Sequence, residues 1–157
     1  LQIFKRREMK IYIGADHRGY FLKDKVEDFL RQNSYEFEDV SGENYDPNDD
    51  FPVFAQRAAV KVLADEGSRA ILLCGGAQGM AMAANRFKGI RASVVWDSEE
   101  AKWTRNDNDS NVLCLPARVF EDPANEAELK DTIKIWLETP FANAPRFNRR
   151  NKMIDEV

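Results

Sequence analysis

Ile71, Leu72 and Leu73 run straight into Cys74, and three glycines follow within five positions, at Gly75, Gly76 and Gly79. A thiol at the end of an apolar run meets a loop whose backbone is stripped of side chains. Where such a turn feeds a helix, several N–H groups gather at the positive end of the helix dipole. That arrangement can hold a phosphate, or an oxyanion that develops during a reaction. A thiol beside it is expected to have a lowered pKa and to carry more thiolate at neutral pH. The plain alternative makes Cys74 a small core residue closing a strand. Cys114, in "NVLCLP", has no such loop and reads as structural.

A second chemical pair is Asp16–His17, just past the apolar run "KIYIGAD" and before Gly19; His17 is the only histidine. The C-terminal "RFNRR" puts Arg146 and Arg150 four apart, on one face if helical, where arginine forks match phosphate oxygens or simply meet water. The acidic stretch Asp46–Asp50 reads as a solvated turn. "GGAQGM" is neither a dinucleotide fingerprint nor a Walker loop, since it lacks G-x-G-x-x-G and the lysine. One histidine and two separated cysteines supply no metal-ligand cluster at recognised spacing, so no metal or other cofactor is expected.

These residues need elements to hold them. Apolar runs at 10–16, 35–40, 70–74, 90–96 and "NVLCLP" (111–116) read as strands. Between them, helical stripes are carried by Leu22, Val26, Phe29 and Leu30, then by Phe54, Ala58, Val62 and neighbours. Further helices are expected over "GMAMAANRF", over "DSEEAKWTRN" opened by Asp97, from Asp122–Pro123 onward, and over 145–157. Five mostly apolar strands alternating with helices predict an α/β, Rossmann-like three-layer sandwich, with a five-stranded parallel sheet covered on both faces. In such sheets the ligand crevice lies outside the carboxyl ends of the strands, where Asp16–His17 and Cys74 stand.

At 157 residues one domain is expected, over 9–157, with residues 1–8 a frayed extension and Met9 a candidate start. The net charge of −4 argues against a nucleic-acid partner, and no apolar run approaches a membrane span. Two cysteines make no disulfide framework, so a cytoplasmic location is expected.

Five ordered blocks carry a resemblance: "GADHRGYFLK" (14–23), "NYDPNDDFP" (44–52), "CGGAQGMAMAANRFKGIRA" (74–92), "RNDNDSNVL" (105–113) and "PRFNRRNKMI" (145–154). Together they resemble the type B ribose-5-phosphate isomerases and their galactose-6-phosphate isomerase relatives. The resemblance implies an aldose–ketose isomerase of a phosphorylated sugar, working through an enediol without metal or nucleotide. It implies a homodimer or tetramer whose sites are shared between subunits, with the C-terminal helix reaching a partner. Cys74 then matches the base that moves a proton between C1 and C2. Other members use a carboxylate where Met80 stands, and methionine cannot take that role. Amides around Gly75, Gly76 and Gly79 match the enediolate hole, and Asp16, His17 and Tyr45 match the sugar pocket. Asn108, Arg118, Arg146 and Arg150 match the partner-subunit face, with the arginines at the phosphate.

Three positions depart from that pattern: Asp107 replaces a ring-opening histidine, Gly76 a threonine or serine, and Phe147 a histidine beside the phosphate arginines. Asp107 either opens the ring as a carboxylate or marks another pentose or hexose phosphate as substrate. A non-catalytic sugar-phosphate-binding protein is the rival from another class.

Overall fold

The structure, a computed structural model, describes residues 9–157, so the expectation for residues 1–8 lies outside it. The strands are β1 (Lys10–Ala15), β2 (Glu36–Asp39), β3 (Arg69–Cys74), β4 (Ala92–Val94) and β5 (Val112–Pro116). The helices are α1 (Tyr20–Gln32), α2 (Phe51–Ala64), α3 (Gln78–Ala84), α4 (Ser98–Asn108), α5 (Ala117–Phe120), α6 (Glu126–Glu138) and α7 (Pro145–Ile154). The strands form one parallel sheet in the order β2-β1-β3-β5-β4.

Alternation along the strands splits the core in two. Ile11, Ile13, Ile71, Leu73, Leu113 and Leu115 face α1, α4 and α6, where Leu22, Val26, Ala101, Ile133 and Trp136 close the layer. Tyr12, Leu72, Cys74, Val112 and Cys114 face α2 and α3, which present Phe54, Ala55, Ala58, Ala59 and Met80. The expected three-layer sandwich is therefore present. Among the described residues, no helix is long and apolar enough to cross a membrane.

The departures lie at the edges. The expected strand over 90–96 pairs only from Ala92 to Val94, because an edge strand has one neighbour and its outer side faces water. Asn85 covers part of that free edge, its side chain exchanging two hydrogen bonds with the Ala92 backbone (2.7 and 2.9 Å). At the other edge β2 reads Glu-Phe-Glu-Asp and is only partly buried. Asp97 does open α4, its carboxylate accepting from the Glu100 amide at 2.8 Å. The helix expected from Asp122–Pro123 begins as a 3₁₀ turn (Pro123–Asn125) before α6 takes over.

One close approach fixes the geometry of the carboxyl end. A Cβ on Gly19 would run into the Leu73 carbonyl and lie 2.7 Å from the Leu73 side chain. Glycine there lets the start of α1 press onto the end of β3. Gly19→Ala is expected to cost about 3 kcal/mol, lowering Tm by roughly 10 °C in a thermal melt.

Candidate active site

Chain direction reverses around β1: the chain steps to β2 on one side and crosses to β3 on the other. A crevice opens at the carboxyl ends beside such a switch point. Asp16 follows β1 directly, and its amide donates to the Leu73 carbonyl (3.2 Å), which ties the two strand ends together. Its buried carboxylate accepts from the amides of Arg18 (2.9 Å) and Gly19 (3.0 Å). Burial pushes the Asp16 carboxyl up, and those two amides pull it back.

His17 is held by Asp49. The His17 amide donates to Asp49 Oδ1 at 3.0 Å, and Nδ1 lies 2.8 Å from the same oxygen. Asp49 thus corrects the expectation that Asp46–Asp50 is only a solvated turn, because its side chain is just 15% exposed. The loop that carries it is anchored upstream by Lys23, whose buried ammonium meets Asp39 Oδ2 (2.7 Å) and the Gly42 carbonyl (3.2 Å). Tyr45, half exposed, packs edge-on against Tyr20 and tilted against Phe21, with ring centroids 5.4 and 5.8 Å away.

Cys74 closes β3 at 6% exposure, with the backbone amides of Met80, Ala77 and Gly76 near its sulfur. The expected lowering of its pKa is not what this environment gives. Burial pushes the thiol up, the Asp16 carboxylate adds to the rise, and the three amides offset part of it. The sequence signals the amides but not the depth at which the sulfur sits, and burial disfavours the thiolate. Cys114 is fully buried and its thiol is pushed up further, in keeping with a structural role. Met80 is also fully buried. The loop itself is tight: Ala77 adopts a left-handed backbone (φ 62°), and a Cβ on Gly79 would lie 2.6 Å from the Phe51 ring.

Arg118 stands against this loop in its own chain. Its amide donates to the Gly75 carbonyl (3.0 Å), and its Nη1 lies 3.6 Å from where a Gly76 Cβ would be. Arg118, expected with the partner-subunit residues, thus lies beside Gly75 and Gly76 of its own chain.

The remaining expected residues lie elsewhere. Asp107, half-buried and accepting from Asn106 Nδ2 (2.8 Å), and exposed Asn108 end α4, just before β5 begins. That places them at the amino end of the sheet, where Ala70 and Ala92 pair with Val112. The Asn108 carbonyl accepts from Arg91 Nε (3.2 Å) and from Asn151 Nδ2 of α7 (3.1 Å). Arg146 and Arg150 are exposed on α7, while Phe147 is buried against Phe141, centroids 6.5 Å apart. A six-residue strand spans roughly 20 Å, so one chain does not unite this set with Cys74.

Asp16, His17 and Asp49 bring three ligand atoms within 4.8 Å of one another, a cluster that spacing along the chain concealed. Asp16 Oδ1 is engaged by the amides of residues 18 and 19, and Asp49 Oδ1 by the amide and Nδ1 of His17. The cluster is accounted for as a brace for the Asp16–Gly19 turn.

Residues 11–154 match the Ribose/Galactose Isomerase family. The chain belongs to that family. Ribose-5-phosphate isomerase B of Mycobacterium tuberculosis is 33% identical over 148 residues, covering 94% of this chain and 89% of its own. A ribose 5-phosphate isomerase from Thermotoga maritima superposes with a TM-score of 0.87 at 35% identity, over 94% of this chain and 98% of that one. Ribose-5-phosphate isomerase B from Mycoplasma genitalium, solved with bound ribulose-5-phosphate, gives a TM-score of 0.87 at 31% identity, over 96% of each chain. Both the family and the architecture expected from the five sequence blocks and the strand pattern hold for this member.

Proposed function

We propose that this chain is an aldose–ketose isomerase of a phosphorylated sugar, with ribose 5-phosphate and ribulose 5-phosphate as the default pair. The supporting observation is Cys74 at the β1/β3 crevice, near three loop amides and beside Asp16. In the thiolate form, sulfur takes the proton from C2 of the open-chain aldose. The electron pair forms the C1–C2 double bond, and the carbonyl oxygen becomes an enediolate oxygen. The amides of the Gly75–Gly79 loop hold that charge. The thiol then returns the proton to C1 while the O2 hydroxyl proton passes to O1, leaving a hydroxyl at C1 and a carbonyl at C2, and no oxidant or reductant is consumed. Asp16, His17 and Tyr45 line the sugar, with Asp49 fixing His17.

The amino-end set completes the site from a second copy. Asp107 and Asn108 lie near the ring oxygen, and Arg146 and Arg150 of α7 reach the phosphate, in a homodimer or tetramer. The raised Cys74 thiol favours one alternative, a homologue that binds sugar phosphates without turning them over.

Assays across pentose and hexose phosphates, with proton exchange at C1 and C2 followed by NMR in heavy water, separate the two. Turnover of ribose 5-phosphate with solvent deuterium entering the product is the expected result. Binding of ribose 5-phosphate with no exchange would leave the non-catalytic reading.

A further inference from the structure

Arg18 lies between His17 and Gly19 and was not among the residues expected at the site. Its Cβ and Nε lie 3.6 and 3.7 Å from the point where a Gly75 Cβ would stand, and Arg118 Nε lies 3.7 Å from the same point. Two guanidinium groups therefore converge on one spot that glycine leaves open. Both arginines are exposed, and neither guanidinium has a carboxylate or hydrogen-bond partner among the described residues. The carboxylates of the same crevice are engaged otherwise, Asp16 by the amides of Arg18 and Gly19, Asp49 by His17. Like charges held this close repel, and a bound dianion relieves that repulsion while taking charge-assisted hydrogen bonds from both forks.

The position distinguishes the two ends of a substrate. Cys74 belongs to the core beneath α2 and α3, whereas Leu73, Ala15 and Ala117 belong to the core beneath α1 and α6. Gly75 lies just past the end of β3, and the space beside it opens toward Arg18, before α1, and Arg118, in α5. An anion between the arginines would sit beside Gly75 and outside the core to which Cys74 belongs, as a terminal phosphate is set off from C1 and C2.

We propose that Arg18 is a substrate-binding residue, forming with Arg118 a two-guanidinium clamp on the terminal phosphate, supplied by the same chain as Cys74. The clamp rests on the sugar-phosphate reading above, and its chemistry requires a phosphorylated substrate. It adds a fixed cation to the phosphate end at a position none of the family correspondences covers.

The test uses the full chain with ribose 5-phosphate as substrate and inorganic phosphate as competing ligand. Arg18→Ala and Arg18→Gln are each expected to raise KM and the phosphate inhibition constant roughly tenfold or more, with kcat nearly unchanged. Arg18→Lys, which keeps the charge but not the fork, should recover part of the loss. Unchanged KM and phosphate inhibition in both neutral variants overturn the clamp. So does a fall in kcat at constant KM, which would put Arg18 at the reacting carbons. If the wild type isomerises no sugar phosphate, calorimetric titration with inorganic phosphate still decides. Weaker binding by Arg18→Ala than by wild type supports the clamp while the isomerase reading falls. Equal binding, or no binding by wild type, removes it.

Discussion

Cys74→Ala is expected to lower kcat by about three orders of magnitude while leaving KM within a few-fold of wild type. Alanine keeps the strand end and the loop amides but removes the sulfur assigned to carry the proton. The buried site is small, so the thiol-to-methyl change should fold, and a thermal melt beside the assay checks this. The pH dependence carries the same assignment. The active form is the thiolate, and burial together with Asp16 holds the thiol above its ordinary value in the single chain. Below that pKa the thiolate fraction rises about tenfold per pH unit, so kcat/KM should climb through neutrality and level off only in the alkaline range. A variant as fast as wild type at every pH would show that the proton moves through another group. A plateau already reached below neutrality would mean that assembly with the partner reverses the single-chain environment.

Mixing two inactive variants is expected to restore activity. Cys74 and its amides sit at the carboxyl end of the sheet, while Asn108, Arg146 and Arg150 sit around the amino end and α7. If each site draws one set from each of two copies, Cys74→Ala chains and Arg146→Ala/Arg150→Ala chains are each nearly dead alone. A mixed dimer then holds one site with both defects and one intact site. With half of the dimers mixed at random, about a quarter of wild-type activity returns. Differently tagged copies, coexpressed and purified as hetero-oligomers, make the measurement. Isolated hetero-oligomers that remain as inactive as their parents would sink the shared-site arrangement.

His17 and Asp49 show how a short-range reading loses information. Asp49 reads as a loop acid because nothing in "DPNDDFP" reveals that its carboxylate folds back over 32 residues to the His17 amide and ring. Arg18 carries no local signal either, since its proximity to Gly75 arises only when β1 and β3 pair. The central strands were legible because β1, β3 and β5 are apolar on both faces. The edge strands were less so, since β2 carries Glu36, Glu38 and Asp39, and β4 is paired for only three residues.

The order of apolar runs, the glycines after Cys74 and the five family blocks determined the sandwich, the family and which residues could act, because periodicity and residue type are local properties. Only the tertiary structure decided which of those residues share a space. It put Arg118 beside Gly75 and Gly76, moved Asp107 and Asn108 to the far end of the sheet, and braced His17 with Asp49. It also reversed the direction in which Cys74 is shifted. Glycine amides are visible in a sequence, but desolvation depends on how many atoms the rest of the chain packs around the sulfur.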